Sequence, residues 1–286
     1  MKINIIPFEL GQLRKGIPNS CQKIYQYIRP FLAGSDVIYH HQSKFRWENN
    51  VPERHRNIMF QSRFVADSIR EQLNQNHYVM NIGGDHSIAM GTIRGFLDYC
   101  HDKFPRKTRK VIWIDAHADT NTREKSLSKN MHGMPVSFLT GLDSDPFIYP
   151  INNTLKWYEL IYIGIRDTDS FENDILKTHR VSVFPQIKNH EKEILDTIGK
   201  DNLVHISFDV DSLDPSIMPC TGTRAANGLF LNETISLIKE ITKRNTLLST
   251  DITEFNEEAN ESTDEEKDVS WNTLKQIIME FMNLKN

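Results

Sequence analysis

The chain has 286 residues, and its 34 Lys and Arg residues against 38 Asp and Glu residues give a formal net charge of -4. This balance excludes a polyanion-binding protein, and no apolar stretch reaches the roughly 20 residues of a membrane span, so we expect neither nucleic acid nor a membrane as partner. The cysteines, Cys21, Cys100 and Cys220, are far apart and odd in number, which predicts free thiols and a cytoplasmic location.

Eight short runs of mostly apolar residues are typical of buried strands. In chain order they lie at 3–6, 36–39, 78–82, 111–114, 160–165, 181–184, 204–208 and 247–251. Amphipathic patterns between most of them predict helices, and the apolar side chains of one such pattern are expected in the core: Phe64, Val65, Ile69 and Leu73. This alternation predicts an α/β fold with a mostly parallel sheet covered on both faces. No linker or repeat interrupts it, so residues 1–286 are predicted to form a single domain.

Potential metal ligands follow three of the predicted strands. They are His86 after the run 78–82, Asp115, His117 and Asp119 after 111–114, and Asp209 and Asp211 after 204–208. One such group is also explained by a polar loop or a helix cap, but three groups at the same edge of a sheet are not. Carboxylates and imidazoles packed this closely repel one another or lose solvation unless a cation joins them. The sequence therefore predicts a two-metal site.

The ligand types indicate the metal and the reaction. Four carboxylates and two histidines without a thiolate suit a pair of moderately hard divalent ions such as Mn²⁺ better than structural zinc. In two-metal sites the ions lie about 3.5–4 Å apart and share carboxylates, and Asp115 and Asp209 are the natural bridges. A water held between such ions loses proton affinity and becomes a hydroxide nucleophile, which predicts hydrolysis.

Polar residues in the following loops indicate the substrate. Asn121 and Ser128 offer donors to an anionic group, and His132 is suited to protonate a leaving amine. Asp169 offers a carboxylate to an ammonium group, and the two oxygens of Glu254 match a planar guanidinium. For any one of these residues a loop or capping role explains it equally well. Together they describe a site for a zwitterion with a guanidinium tail.

Several motifs, taken together, resemble those of the ureohydrolases, and among these the arginases most closely. The matching segments are G-Q-L-R-K-G at 11–16, G-G-D-H-S at 83–87, D-A-H-A-D-T-N-T at 115–122, H-G-M-P at 132–135, G-I-R-D-T-D at 164–169, S-F-D-V-D-S-L-D-P at 207–215, T-G-T at 221–223 and D-I-T-E-F-N at 251–256. The resemblance covers nearly the whole chain. It implies a three-layer αβα fold, hydrolysis of L-arginine to L-ornithine and urea, two Mn²⁺ ions per chain, and a trimer or hexamer of identical chains.

The resemblance also implies a role for each site residue. One ion would be held by His86, Asp115, Asp119 and Asp209, and the other by His117, Asp115, Asp209 and Asp211. Asp119 would also accept a hydrogen bond from the nucleophile, and His132 would carry the proton. The substrate would be bound by Asn121, Ser128, Asp169, Thr223 and Glu254.

The loop at 221–228 departs from the family pattern T-G-T-P-x-x-G-G, with Arg224 in place of Pro and Asn227 in place of Gly. Arg224 is expected to place a cation on the rim of the site and to repel arginine slightly, an effect of about 0–1 kcal/mol that salt screens. Asn tolerates positive φ better than other side chains, so Asn227 is expected to preserve the shape of the loop.

Alternative functions use the same features differently. An agmatinase or a formimidoylglutamase would share the metal site, but agmatine has no carboxylate for Asn121 and Ser128 to bind. A non-catalytic scaffold stabilised by metal would need neither His132 nor Glu254. These four residues therefore favour arginine hydrolysis, with a closely related guanidino acid left open as the substrate.

Overall fold

The computed structural model describes residues 1–32, 37–41 and 51–284. Within these residues eight strands form a single sheet: β1 (Lys2–Ile6), β2 (Val37–Tyr39), β3 (Val79–Gly83), β4 (Arg109–Ile114), β5 (Leu160–Ile163), β6 (Ser182–Phe184), β7 (Leu203–Asp209) and β8 (Thr246–Thr253). The spatial order is β2-β1-β3-β8-β7-β4-β5-β6, and every neighbouring pair is parallel. All eight predicted strands are confirmed, except that Asp36 lies outside the described residues.

Helices cover both faces of the sheet. They are α1 (Ile17–Ile28), α2 (Val51–Asn74), α3 (Ala89–Lys103), α4 (Pro135–Thr140), α5 (Ser170–Thr178), α6 (Glu191–Ile198), α7 (Leu231–Arg244) and α8 (Asp264–Asn283). Helices α1, α6, α7 and α8 pack into one core, whereas α2, α3, α4 and α5 pack into the core on the opposite face. The predicted three-layer αβα fold is confirmed. In the described ranges no helix is long and apolar enough to cross a membrane.

Strand β4 shows why the strand runs are apolar without interruption. Ile112 and Ile114 face the first core, and Val111 and Trp113 face the second, with all four side chains fully buried. Because both faces of this strand are covered, polar residues cannot alternate with apolar ones along it. Polar residues occur only before and after this buried stretch, as Arg109 and Lys110 at the start of the strand and as Asp115 directly after it.

The order of the strands places the predicted site residues side by side. β3, β8, β7 and β4 are consecutive neighbours in the sheet. At their carboxyl ends the chain continues into His86 after β3, Glu254 after β8, and Asp115 after β4, while β7 itself ends at Asp209. In open parallel sheets, ligands bind in the crevice outside these ends.

The predicted burial of Phe64 is wrong. Val65, Ile69 and Leu73 lie four residues apart on one face of α2 and are buried. Phe64 is turned about 100° away from Val65 around the helix axis and is 60% exposed. Its ring packs edge-on against the exposed Phe60, with 5.0 Å between ring centroids. The apolar pattern identified the helix but included a residue outside its buried face.

Candidate metal centre and active site

The buried ring of His86 lies at the centre of a first group of potential ligands. Its Nδ1 is 2.9 Å from Asp115 Oδ2, 3.0 Å from Asp209 Oδ2 and 3.3 Å from Asp119 Oδ2. The other ring nitrogen, Nε2, lies 2.9 Å from the hydroxyl of Ser207, and this contact fixes the orientation of the ring. Although Nδ1 is buried, it makes no hydrogen bond of ordinary geometry to any residue that the structure describes. A divalent cation fits this set, because it binds an imidazole nitrogen and carboxylate oxygens together.

A second group of ligands adjoins the first. His117 Nδ1 lies 3.1 Å from Asp211 Oδ2 and 3.4 Å from Asp115 Oδ1. Asp115 therefore presents one oxygen to each group, as a bridging carboxylate would. Asp209 faces the first group through Oδ2, while its Oδ1 accepts a hydrogen bond of 2.8 Å from the backbone N–H of Asp211. The structure thus brings all six predicted ligands together.

The electrostatics of these groups also favour bound cations. Burial raises the pKa of Asp209, and the charges of Asp211 and Asp115 raise it further. Burial and the charge of Asp115 likewise raise the pKa of Asp119. Burial opposes protonation of His117, but Asp211 and Asp115 outweigh it and raise the pKa of His117. Protons held in this way would be released when cations bind the same atoms, so metal affinity is expected to increase with pH.

Neighbouring residues hold the ligands in place. The Trp113 ring stacks on His86 with 4.2 Å between centroids, and its Nε1 donates a hydrogen bond of 2.9 Å to Asp115 Oδ2. Asp119 and Glu254 have φ angles of 51° and 68°, in the left-handed region that non-glycine residues rarely occupy. Such strain costs about 1–3 kcal/mol per residue and persists only where the surrounding structure holds the backbone in place.

A cavity of about 150 Å³ opens onto the two ligand groups. Five predicted site residues that are not metal ligands help to line it: Asn121, Ser128, His132, Thr223 and Glu254. Thr223 also donates a hydrogen bond of 2.8 Å to Asp211 Oδ2, which ties the loop 221–228 to the second group of ligands. The predicted loops therefore converge on one small polar cavity.

Asp169 does not line this cavity. It caps α5 by accepting the backbone N–H of Glu172 at 2.8 Å, and it accepts a hydrogen bond of 2.7 Å from the side-chain amide of Asn121. Glu172 lies in the lining instead, and burial raises the pKa of its carboxyl to about 7. The sequence shows an Asp and a Glu three residues apart, which is the pattern of a capping box. That pattern explains the start of α5 but gives no sign that Glu172 reaches the cavity.

His132 and Glu254 form a pair at the side of the cavity. His132 Nδ1 is 3.2 Å from Glu254 Oε1, which also accepts the backbone N–H of His86 at 2.7 Å. The side-chain amide of Gln12 donates to the other oxygen, Oε2. Burial disfavours charge on both partners, but their mutual contact outweighs it, so the pKa of Glu254 is lowered and that of His132 is raised. The carboxylate is thus fixed and ionised, beside an imidazole that retains its proton more strongly than usual.

Two residues that the sequence did not indicate hold the loop that carries Ser128. Arg54 Nη2 and His55 Nε2, both from α2, lie 2.9 and 2.7 Å from the carbonyl oxygen of Lys129. The next residue, Asn130, lines the cavity. Because α2 precedes this loop by about seventy residues and no motif links the two, sequence reasoning had no signal for this contact.

The position expected for Arg224 is wrong. Its Nε donates to the carbonyl oxygen of Pro219 at 2.6 Å, and its Nη1 lies 3.1 Å from Glu266 Oε1 at the start of α8. The cation is therefore paired with a carboxylate and does not line the cavity. Asn227 has a φ of 60°, in the left-handed region that Asn tolerates better than other side chains.

The chain matches the sequence model of the arginase family over residues 2–282. The chain belongs to the arginase family. The arginase of Coccidioides immitis is 38% identical over 205 residues, which cover 67% of this chain and 63% of that protein. The arginase of Schizosaccharomyces pombe is 34% identical over 240 residues, which cover 76% of this chain and 71% of that protein. The chain thus spans less than two thirds of the length of the first of these relatives.

Solved arginase structures have the same fold. The arginase of Entamoeba histolytica in complex with L-ornithine has a TM-score of 0.83 at 26% identity, covering 99% of this chain and 97% of that chain. The arginase of Bacillus subtilis has a TM-score of 0.77 at 23% identity, covering 99% of both chains. The two ligand groups of the present chain fit the binuclear metal centre on which the arginase family depends.

Proposed function

We propose that this protein hydrolyses L-arginine to L-ornithine and urea with two Mn²⁺ ions per chain. One observation carries the proposal: two ligand groups sharing Asp115 open into the same cavity as Asn121, Ser128 and Glu254. Membership of the arginase family supports it, as does the L-ornithine bound by the similar arginase of Entamoeba histolytica. A scaffold without activity would have no use for a substrate cavity above its metal ions.

The proposed metal sites share two carboxylates. One ion would be held by His86, Asp115, Asp119 and Asp209, and the other by His117, Asp115, Asp209 and Asp211. Once bound, such a pair supplies an activated water for attack on the guanidinium carbon. The choice of Mn²⁺ rests on the donor set, in which oxygen and imidazole ligands occur without a thiolate. Asp119 is proposed also to accept a hydrogen bond from the attacking water.

The proposed substrate contacts separate the two ends of arginine. Glu254 would bind the guanidinium, since a carboxylate has about four acceptor positions and three are used by Gln12, His86 and His132. Asn121 and Ser128 would donate to the α-carboxylate at the other end. Asp169 would act on the ammonium side through its contact with Asn121.

The remaining proposed roles concern the proton and the loop 221–228. When the C–N bond breaks, the amine of ornithine must gain a proton, and His132 is the proposed donor because Glu254 favours its protonated form. Thr223 would contact the substrate from the loop and help to orient Asp211.

We expect Asn121→Ala and Ser128→Ala to raise KM for arginine and to leave KM for agmatine nearly unchanged. Each lost charge-assisted hydrogen bond is worth about 1.5–3 kcal/mol before desolvation is offset, and agmatine has no carboxylate to receive it. Steady-state urea release from both substrates measures this, with agmatine as the internal control. Equal increases in KM for both substrates would show that these residues do not bind the carboxylate.

We expect Arg224→Ala to leave KM for arginine unchanged at low and at high ionic strength. The guanidinium is paired with Glu266 and does not line the cavity. Because Arg224→Ala also removes hydrogen bonds to Pro219 and Ser262, it is expected to lower the free energy of unfolding. Urea-release kinetics at two salt concentrations and denaturant unfolding measure the two quantities. If KM changed with salt in the wild type but not in Arg224→Ala, the charge of Arg224 would act on the substrate from the rim of the site.

We further propose that residues 1–286 act as one arginase-like domain that assembles into a trimer or hexamer in the cytoplasm. The single sheet supports one domain, and the buried free thiols of Cys21, Cys100 and Cys220 suit a reducing compartment. Light scattering of the purified chain measures the assembly.

A further inference from the structure

The guanidinium group of Arg166 joins three separate segments of backbone beside the metal centre. It donates hydrogen bonds of 2.8 to 3.5 Å, and its acceptors in the described part of the chain are the backbone carbonyl oxygens of Gly164, Asp211, Ser212, Leu213, Ala225 and Ala226. A planar guanidinium has five N–H donors in a fixed arrangement, so it can hold several carbonyls at once. No sequence motif explained this residue beyond its place in G-I-R-D-T-D.

The segments that Arg166 joins carry one half of the metal centre. The carbonyl of Asp211 lies 2.8 Å from Arg166 Nη2, and the carboxylate of the same residue lies 3.1 Å from His117 Nδ1. The carbonyl of Ala225 lies 2.9 Å from Nη2 and belongs to the loop of Thr223, whose hydroxyl donates to Asp211 Oδ2. Arg166 thus fixes Asp211 in two ways. It binds the backbone carbonyl of Asp211, and it binds the loop whose Thr223 contacts the Asp211 carboxylate.

The other half of the metal centre is held differently. His86 is fixed by Ser207 and by stacking on Trp113, and Asp119 lies in the loop after β4, whereas Asp211 follows β7. Neither His86 nor Asp119 contributes a carbonyl to Arg166. The positive charge of Arg166 lies near the carboxylates of Asp211 and Asp115. These carboxylates oppose the lowering of the Arg166 pKa by burial. The two ions should therefore respond unequally to its loss.

We propose that Arg166 is a positioning residue for the second metal ion, the ion assigned above to His117, Asp115, Asp209 and Asp211. The inference rests on the proposed two-metal site but not on arginine as the substrate. Without the guanidinium, the segments 211–213 and 225–226 lose their common anchor, and Asp211 no longer meets His117 in a fixed geometry. The first ion keeps His86 and Asp119, which make no contact with this anchor, and shares Asp209, which Asp211 and Ser212 contact, so we expect it to be weakened less than the second.

The test measures Mn²⁺ binding to Arg166→Met and Arg166→Lys in the full chain. Bound Mn²⁺ is counted at graded free Mn²⁺, and electron paramagnetic resonance distinguishes a coupled ion pair from a single ion. Loss of a residue that orients metal ligands typically weakens affinity about 10–100-fold. We expect this loss for the second ion in both variants, with a clearly smaller increase in the dissociation constant of the first. Lysine keeps the charge but offers only one ammonium, so Arg166→Lys should show the same defect to a smaller extent.

Arg109→Met is the matched control. Its guanidinium also bonds backbone carbonyls, those of Leu97 and Thr154 at 3.1 Å each, but at the opposite end of β4 from the metal centre. We expect it to lower thermal stability and to leave both Mn²⁺ constants unchanged. Equal weakening of both ions by Arg166→Met, or a second ion bound as tightly as in the wild type, would overturn the inference.

The result is distinguishable from failure of the proposed function. A wild-type chain that binds two Mn²⁺ ions but releases no urea from arginine would contradict the function and leave this inference testable by binding alone. Should Arg166→Met fail to fold, as judged by circular dichroism, Arg166→Lys decides the question with the charge retained. In that case, wild-type affinity for the second ion in a folded Arg166→Lys variant would contradict the inference.

Discussion

Removal of the metal ions is expected to abolish urea release and to lower the thermal midpoint of unfolding together. The buried groups around His86 and His117 need cations to offset four carboxylates, so the folded state binds metal far better than the unfolded chain. One bound ion stabilises the fold by about 2.7 kcal/mol when its free concentration is 100 times the dissociation constant. Chelation followed by calorimetry and a urea assay measures both effects.

The Asp115→Asn variant tests the same site without chelator. Because Asp115 presents one oxygen to each group of ligands, its loss should weaken both ions and abolish turnover. The exposed Asp196 on α6, whose carboxylate pairs with Lys192, provides the control, and Asp196→Asn should change neither metal binding nor turnover. Re-addition of Mn²⁺ should restore the chelated wild type but not Asp115→Asn. Full activity after exhaustive chelation would rule out the two-metal site.

The His132→Ala variant is expected to lower kcat by about 10²–10⁴-fold and to change KM much less. A positioned proton donor acts on the transition state, so its removal affects turnover more than binding. The backbone N–H of residue 132 can still donate to the carbonyl of Gly11 at 3.2 Å, so the surrounding turn should be retained. Steady-state kinetics with and without added imidazole measure the loss and its partial rescue.

The control for this variant is His190→Ala, at an exposed site whose ring contacts only the carbonyl of Lys188 among the described residues. It should leave kcat and KM unchanged. If His132→Ala instead raised KM as strongly as it lowered kcat, the role of His132 would be to hold Glu254, its 3.2 Å partner. An unchanged kcat would show that His132 is not the proton donor.

The fold was predictable because its central strands are buried on both sides. Runs such as Val111 to Ile114 have few alternatives to a central strand, and all eight runs became strands. Their spatial order was not predictable, because apolar runs carry no information about which strand lies beside which. Phe64 shows a similar limit for helices. The apolar periodicity predicts which side of a helix is buried, but not how many residues around the helix that side includes.

The ligands were predictable for a reason that does not extend to the rest of the site. Each lies at the carboxyl end of a strand or in the loop after it, so the parallel sheet alone brings His86, Asp115 and Asp209 to one edge. Glu172 reaches the cavity only because α5 begins there. Arg224 lies away from the cavity because it forms an ion pair with Glu266. No local sequence pattern predicts this pair, since Glu266 lies 42 residues later. Contacts between distant loops depend on the folded chain and escape sequence reasoning.

The most direct test of the account is urea release from L-arginine and from agmatine by the metal-free wild-type chain, before and after addition of Mn²⁺. We expect no urea without metal, and with Mn²⁺ a kcat/KM for arginine at least about tenfold above that for agmatine, since one charge-assisted bond to the carboxylate is worth about 1.5–3 kcal/mol. Urea release without metal, or agmatine hydrolysed as fast as arginine, would contradict the account.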